Sequence, residues 1–332
     1  MGITIITNSL RMFFNYRSQL YEDLSKKQNI QFLLSEPADI KMDVQSVELG
    51  LQSRSSSKTS LLRDIYLCFC ARGYLKDQTV IVFTVRNLII YGIVSMIIRQ
   101  KFKCGYFAGL GELFTHRRRN SFFFNWFVKH ILARYEILVV LNSRDFNYVS
   151  SLATNKTKVL SIMGEGYSFS FPDYKNNNEM YDYGIVGRLN LAKGGLLLKQ
   201  IADRSPTRSF VVWGTIDEEL ACIHYPSNVH FKSFEPDKKK IFSSFKSLLY
   251  ISTLNEGLPF IFLEAIDYQK QILAIGNETT DEFLSVFGIQ SYSEEQLCSM
   301  VQRGVSFELR YEASDLLQLS YDECNGKLVQ LL

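Results

Sequence analysis

The chain has 332 residues, a length that fits two domains of average size better than one. Hydrophobic residues make up 46% of it and charged residues 21%, a balance that excludes a disordered protein and indicates a sizeable core. The six cysteines lack the spacing of metal ligands, so we expect reduced thiols in the core and neither a metal site nor a disulfide framework.

The net charge of +3 conceals an asymmetry between the two halves of the chain. Residues 1–175 contain 23 Lys and Arg against 13 Asp and Glu, whereas residues 176–332 contain 14 against 21. A basic half joined to an acidic half predicts two domains with different partners. The basic half suits an anionic partner, either a membrane surface or a nucleic acid.

We expect neither a signal peptide nor a membrane-spanning helix. The opening residues, MGITIITNSLRMFF, lack a basic start and a small-residue cleavage site. The most apolar stretch, residues 79–98, is divided by Arg86 and Asn87 into a strand-like run and a helix-like run. An arginine near the centre of a spanning helix would cost about 2.5–3.5 kcal/mol.

Strands and helices alternate along the first half. The β-branched run ITIIT at 3–7 is followed by apolar residues at helical spacing in 11–28 and by IQFLL at 30–34, which predicts a βαβ unit. The other elements predicted in this half are helices near 60–73, 87–100 and 122–135, and strands at 78–85, 103–109 and 136–142.

A linker rich in Gly, Asn and aromatic residues, 164–180, separates the predicted domains 1–175 and 176–332. After it the alternation resumes, which predicts a second doubly wound, Rossmann-like α/β domain with a parallel sheet. The elements predicted there are strands at 181–187, 209–214, 229–231, 247–253 and 271–276, and helices at 195–203, 238–246 and after Pro259.

Ligands bind beyond the carboxyl ends of the strands in doubly wound sheets. This rule selects the loops that are candidates for function. They are 8–12, 109–116 and 142–146 in the first half, and 187–195, 214–217, 232–236 and 254–260 in the second.

The sequence VGRLNLAKGG, residues 186–195, places two cations beside glycines at the end of a predicted strand. Arg188 supplies a planar fork of donors and Lys193 a point charge, and the following helix begins with free N–H groups. This set suits a diphosphate. The alternative interpretation is an ordinary solvated turn between a strand and a helix.

The sequence LNEGLPFIFLE, residues 254–264, joins a predicted strand to a predicted helix. Glu256 falls at the tip of the strand, Pro259 suits the first turn of the helix, and Glu264 lies about a turn and a half inside it. The backbone N–H groups of Phe260 and Ile261 belong to the positive helix end. Capping of the helix by a glutamate is the alternative interpretation.

The two stretches together resemble the GT-B glycosyltransferases of the retaining, GT4-like type. GRLNLAKGG is similar to the Gly-Arg…Lys-Gly turn of that family and EGLPFIFLE to its Glu-x7-Glu motif. FFNYRSQLYEDL, GYFAGLGELF and VVLNSRDFNYV also resemble segments of bacterial O-antigen and capsule transferases, so the likeness extends over about residues 1–280. The first loop, TNSLRMF, lacks the paired glycines that are usual in the family.

The resemblance implies two Rossmann-like domains that face a cleft and transfer a sugar from a nucleotide sugar to a lipid-linked glycan. It implies retention of the anomeric configuration and needs no cofactor or metal, in agreement with the absence of an Asp-x-Asp motif from the sequence. The implied catalytic residues are Arg188 and Lys193, on the diphosphate, and Glu256, on the sugar hydroxyls.

The resemblance also implies residues that bind the two substrates. Those for the donor are Gly187, Gly257, Leu258, Phe260, Ile261 and Glu264, of which Glu264 would bind the ribose hydroxyls. Those for the acceptor, or elsewhere in the cleft, are Gly109, Gly111, Glu112 and Asn142.

The segment HRRRNSFFFNWFVKH, residues 116–130, places three arginines before a cluster of aromatic residues. It fits a basic loop before a buried helix, or an interfacial helix with Trp126 in the headgroups and Arg117, Arg118 and Arg119 on anionic lipid. Nucleic-acid stacking needs cations and aromatics interleaved on one exposed face, so we expect no nucleic-acid partner.

The sequence therefore predicts a hexosyltransferase of surface-polysaccharide synthesis, such as that of O-antigen or lipopolysaccharide. We expect it to be cytoplasmic and peripheral on the inner face of the cytoplasmic membrane. One rival is a nucleotide-sugar epimerase of the same architecture, although no convincing acid/base set accompanies the motifs. The other is a non-catalytic scaffold that keeps the fold.

Overall fold

The computed structural model describes residues 2–37, 40–51, 58–110, 122–162, 167, 169–170, 180–254, 257–304 and 321–331. The chain divides into a first unit, Met1–Tyr167 with Leu317–Leu332, and a second unit, Ser168–Leu316. Among these described residues, each unit contains one sheet, and all neighbouring strands in both sheets are parallel. The prediction of two Rossmann-like α/β domains is confirmed.

The first unit is built on a sheet in the order β3-β2-β1-β4-β5-β6-β7. Its strands are β1 (Gly2–Thr7), β2 (Asn29–Leu34), β3 (Gln45–Glu48), β4 (Thr79–Phe83), β5 (Phe102–Tyr106), β6 (Ile137–Val140) and β7 (Lys158–Ser161). The helices between them are α1 (Leu10–Ser25), α2 (Lys58–Cys70), α3 (Val85–Val94), α4 (Phe122–Leu132) and α5 (Ser143–Leu152).

The second unit has a sheet in the order β10-β9-β8-β11-β12. Its strands are β8 (Tyr181–Val186), β9 (Phe210–Trp213), β10 (Val229–Lys232), β11 (Phe245–Tyr250) and β12 (Gln271–Ala274). Its helices are α6 (Gly195–Arg204), α7 (Lys238–Phe242), α8 (Phe260–Asp267), α9 (Glu278–Val286) and α10 (Glu294–Arg303), with a 3-10 turn at Glu218–Leu220.

The central strands form the cores of both units because their side chains are apolar on both faces. All five residues of β4 and all four of β6 are buried, which a parallel sheet covered by helices requires. Edge strands differ, since β3 carries mostly exposed side chains.

The last described helix, α11 (Tyr321–Leu331), belongs to the first unit. Its Cys324 and Leu328 are buried, and the carbonyl of Val329 accepts a hydrogen bond from the Lys27 Nζ, just beyond α1, at 3.1 Å. The chain therefore passes into the second unit near residue 168 and returns to the first near residue 317.

The cysteines are all free, but only four of them are buried. The expectation of core positions is wrong for Cys70 and Cys222, whose side chains are exposed. Cys70 lies two residues after the buried Cys68 on α2, and two residues of a helix are about 200° apart around its axis. Cys222 follows the 3-10 turn at the surface of the second unit.

No helix among the described residues has both the length and the apolar character that crossing a bilayer requires. The apolar stretch 79–98 is instead divided between β4 and α3, as its Arg86 and Asn87 indicated.

Candidate functional site

The two sequence motifs follow neighbouring strands of the second unit. β8 lies between β9 and β11, and the winding of the chain reverses there, since β9 and β10 extend the sheet on one side and β11 and β12 on the other. The carboxyl edge at such a reversal is where doubly wound sheets bind ligands. Residues 187–195 follow β8 and residues 251–259 follow β11 at this edge.

The loops after β8 and β11 are in direct contact. Thr253 donates hydrogen bonds from its backbone N–H and its Oγ1 to the carbonyl of Ala192, at 3.3 and 3.2 Å. Gly194, with φ +84°, precedes α6, and a Cβ there would lie 2.3 Å from the carbonyl oxygen of Ile251. The fold thus brings the Arg-Lys turn against the loop that leads to α8.

The loop after β9 supports the same edge of the sheet. Gly187 donates a backbone hydrogen bond of 2.8 Å to the carbonyl of Trp213. Gly214 has φ +142°, and a Cβ on it would lie 2.2 Å from the Gly187 oxygen. A Cβ on Gly187 would meet no described atom within 4 Å, so space is open above the end of β8.

Asn190 organises the turn that carries the two cations. Its Oδ1 accepts from the Lys193 N–H at 2.8 Å, its carbonyl accepts from the Gly195 N–H at 2.9 Å, and its Nδ2 donates to Asp217 Oδ2 at 3.3 Å. Asn190 was not among the residues predicted from the sequence. Its signal was an asparagine inside a glycine-flanked turn, where the side chain commonly bonds nearby backbone.

Arg188 lies at the tip of β8 with 52% of its side chain exposed. Its Nε is 3.8 Å from Asp217 Oδ2, and the side chain of Lys193 is half-buried. An ion pair this exposed contributes little stability. The two cations and the start of α6 form a positive region with two carboxylates beside it, Asp217 and Glu219, of which Glu219 accepts a hydrogen bond from the Leu191 N–H at 2.8 Å.

The helix α8 begins one residue after Pro259, which has φ −75° and occupies the N-cap position. Gly257 and Leu258 are buried, while Phe260 and Ile261 are half-buried in the first turn. The first-turn N–H groups of a helix have no carbonyl partner within it and form its positive end. Predicted Glu256 lies outside the described residues.

Glu264 is 7% exposed on α8, and its Oε1 lies 2.8 Å from the Nζ of Lys238 at the start of α7. Burial raises the pKa of Glu264, and the nearby Asp267 carboxylate raises it further, whereas the Lys238 ammonium group lowers it. The net result is a raised pKa. Lys238 was not predicted as a site residue, because no local sequence pattern links it to residue 264.

The residues predicted for the acceptor are only partly described. Gly109 follows β5, at the carboxyl edge of the first sheet. Asn142 is 3% exposed and caps α5, with its Oδ1 accepting from the Asp145 N–H at 2.7 Å. Gly111 and Glu112 lie outside the described residues, and acceptor binding at all four positions stays a prediction.

The helix α4 is apolar on two faces. Val128, Ile131 and Leu132 are buried in the first unit. The other face carries Phe123, Trp126 and Phe127, with exposures of 81, 55 and 39%. We call these three residues the aromatic face. Predicted membrane residues Arg117, Arg118 and Arg119 lie outside the described residues.

No protein-family model matches the sequence, and no curated protein matches it. Solved structures are similar over the whole chain. HepE from Anabaena, in complex with UDP and glucose, has a TM-score of 0.73 at 13% identity, with 100% of this chain and 99% of HepE covered. WaaB, a lipopolysaccharide outer core galactosyltransferase, has a TM-score of 0.65 at 14% identity, with 100% of both chains covered.

WaaG, a glycosyltransferase involved in lipopolysaccharide biosynthesis, has a TM-score of 0.68 at 11% identity, with 99% of each chain covered. At these identities the likeness shows the fold, which is that of the GT-B glycosyltransferases.

Proposed function

We propose that this protein is a retaining glycosyltransferase that moves a hexose from a nucleotide sugar to a lipid-linked glycan in surface-polysaccharide synthesis. The observation that carries the proposal is the contact between the Arg188–Lys193 turn and the loop that leads to α8, at the reversal point of the second sheet. Similar structures support it, since HepE was solved in complex with UDP-glucose and WaaB is a lipopolysaccharide outer core galactosyltransferase.

Arg188 and Lys193 bind the diphosphate of the donor. When the bond between the anomeric carbon and the diphosphate oxygen breaks, negative charge grows on the leaving group. Preorganised cations then stabilise the transition state more than the ground state. The positive end of α8 adds backbone donors at Phe260 and Ile261. The chain's own cations thus do the work of a metal ion.

Two glutamates bind hydroxyl groups in this proposal. Glu256 binds those of the donor sugar, and Glu264 binds those of the ribose. Neither serves as a general base. The ion pair with Lys238 favours the ionised form of Glu264, which is the form that accepts hydrogen bonds from hydroxyls.

The acceptor is lipid-linked, and the first unit meets the membrane through the aromatic face of α4. Exposed Phe and Trp on a helix with Lys129 and a preceding run of three arginines suit an anionic lipid surface. The excess of basic residues in 1–175 supports the same contact.

A ligand screen and a matched pair of variants test the proposal. We expect UDP, GDP or ADP, or one of their sugars, to raise the melting temperature, because a ligand that binds only the native state stabilises it. Lys193→Ala should abolish the shift. Lys199→Ala, which removes a lysine paired with Asp203 at 2.5 Å on α6, should keep it.

Transfer is then followed with the donor that the screen identifies, and NMR of the product should show the anomeric configuration of the donor. Glu256→Ala should lose transfer while the protein stays folded. No thermal shift with any nucleotide would refute the proposal, and transfer unaffected by Glu256→Ala would favour a scaffold.

A further inference from the structure

The pair formed by Lys238 and Glu264 joins two helices of the second unit. Lys238 is the first residue of α7, with 38% of its side chain exposed, and Glu264 lies on α8 with only 9% of its side chain exposed. Phe242 of α7 also stacks on Tyr268 just after α8, at 4.8 Å between ring centroids. The lysine is therefore held by a packed helix pair rather than by a loose surface contact.

Lys238 differs from the other lysine of α7 whose partner is known. Lys240 pairs with Glu235 at 2.5 Å, but that lysine is 63% exposed and its partner precedes the same helix. Of these two lysine pairs, the one formed by Lys238 reaches a buried carboxylate on another helix. An ion pair at the surface contributes little, whereas removing one partner of a buried pair leaves an uncompensated charge.

The charged groups that act on Glu264 among the described residues are Lys238, from α7, and Asp267, on its own helix. Asp267 accepts hydrogen bonds from the N–H and the Oγ of Ser170, at 2.6 and 3.0 Å. Within the described part of the chain, the Glu264 carboxylate receives one side-chain hydrogen bond, from Lys238 to Oε1. Its second oxygen keeps its capacity to accept.

We propose that Lys238 is a positioning residue for the donor site: its ammonium group holds Oε1 of Glu264, so that Oε2 accepts a ribose hydroxyl of the nucleotide. This inference rests on the proposed function. Lys238 lies outside both sequence motifs, and in this proposal it orients Glu264, which belongs to one of them. Lys238 itself does not touch the nucleotide.

Binding of UDP, 2′-deoxy-UDP and 3′-deoxy-UDP, measured by calorimetry, tests the role. In the wild type, loss of the hydroxyl that Glu264 binds should weaken binding about tenfold or more, since hydrogen bonds to charged groups are among the stronger ones. The variant Lys238→Met should bind UDP about tenfold more weakly than the wild type does. Its affinities for UDP and for the deoxy analogue should be nearly equal. Lys238→Arg should restore most of the difference.

The pH dependence separates positioning from a structural role. Without the ammonium group, burial and Asp267 act on Glu264 unopposed and its pKa rises further. As the pH is lowered, the Lys238→Met variant should therefore begin to lose affinity for UDP at a higher pH than the wild type does. Lys240→Met removes an ion pair from the same helix and should follow the wild type. Lys238→Gln serves if Lys238→Met does not fold.

Three failures are distinguishable. If the wild type binds UDP and discriminates against a deoxy analogue, but Lys238→Met or Lys238→Gln matches Lys240→Met in affinity and pH profile, the positioning role is refuted alone. If the wild type binds UDP but not better than either deoxy analogue, the ribose contact of Glu264 is refuted as well. If the wild type binds no nucleotide, the proposed function falls together with this inference.

Discussion

At Gly214 the fold demands a glycine for reasons of space as well as of conformation. Its φ of +142° is a region that other residues rarely enter, and a Cβ would lie 2.2 Å from the backbone oxygen of Gly187. A backbone atom cannot swing aside as a side chain can. Substitution must therefore move the end of β8, from which Arg188 projects.

Gly214→Ala should destabilise the protein by about 2 kcal/mol or more and weaken donor binding at the same time. Urea unfolding and nucleotide thermal shifts measure the two effects. Gly326→Ala is the control, since that glycine lies within α11 with no described atom within 4 Å of its Cβ position. It should leave donor binding intact and raise stability by up to about 1 kcal/mol. Equal stabilities of the two variants would contradict the argument.

We predict that stability depends on pH through Asp182, which lies near the amino end of β8, away from the candidate site. Burial raises its pKa, but hydrogen bonds from the Ser209 N–H and Oγ and from Lys246 Nζ outweigh it, so the pKa lies below the usual 3.8. A lowered native pKa contributes stability above the unfolded value and loses it as the pH falls through the native one.

Asp182→Asn should therefore be less stable than the wild type at pH 7, and the difference should shrink below about pH 4, where the wild-type carboxylate also takes up a proton. Urea titrations at several pH values provide the measurement. Asp203→Asn, in an exposed pair with Lys199 on α6, is the matched comparison and should change little. A constant difference across the whole range would rule out the linkage.

Among the elements, α4 is the one whose outer face carries a functional prediction. Trp126→Ser should reduce binding to vesicles that contain anionic lipid about tenfold or more, because burial of a large apolar side chain contributes about 1.5–3 kcal/mol. Co-sedimentation with vesicles measures the change. Leu62→Ser, at a residue of α2 that is 72% exposed, is the control and should bind as the wild type does. An equal loss of vesicle binding in both variants would argue against membrane contact through the aromatic face of α4.

Elements were predictable from the sequence where burial imposed an apolar pattern. The wholly buried β4 and β6 were found, whereas the edge strand β3 was not, because three of its four residues are exposed and only Val47 is apolar. The helix α10 was also missed, although Ser293 and Gln296 form a capping box that the sequence displays. Local capping signals are weaker than hydrophobic runs, but they were available.

The residues of the candidate site likewise divide into those that the sequence predicted and those that it did not. Arg188 and Lys193 were recognisable because they lie in the turn between a strand and a helix, and Glu264 because it completes the Glu-x7-Glu motif within the helix that follows. Asp217 and Lys238, which contact two of them, were not, since they lie 29 and 26 residues away from those partners along the chain. Contacts of that kind depend on how loops after different strands meet at one edge, which no local pattern encodes.

For the molecule as a whole, the proposed chemistry relies on cations that the chain itself carries. Transfer activity should therefore be unchanged after EDTA treatment and dialysis, with the identified donor at a concentration near its KM. An enzyme that uses a metal to neutralise the diphosphate would behave otherwise. Activity lost with EDTA and restored by Mg²⁺ or Mn²⁺ would contradict this prediction.

The position of α11 has a consequence for how the chain folds during synthesis. Domains generally begin to fold as they leave the ribosome, from the N-terminus onward. The second unit is continuous from residue 168 to 316, so its strands are synthesised without interruption, but the first unit needs a helix from residues 321–331. The unit that is translated first is therefore completed last. Until then α1 lacks the helix that packs against it, and the nascent first unit exposes apolar surface where a chaperone can bind.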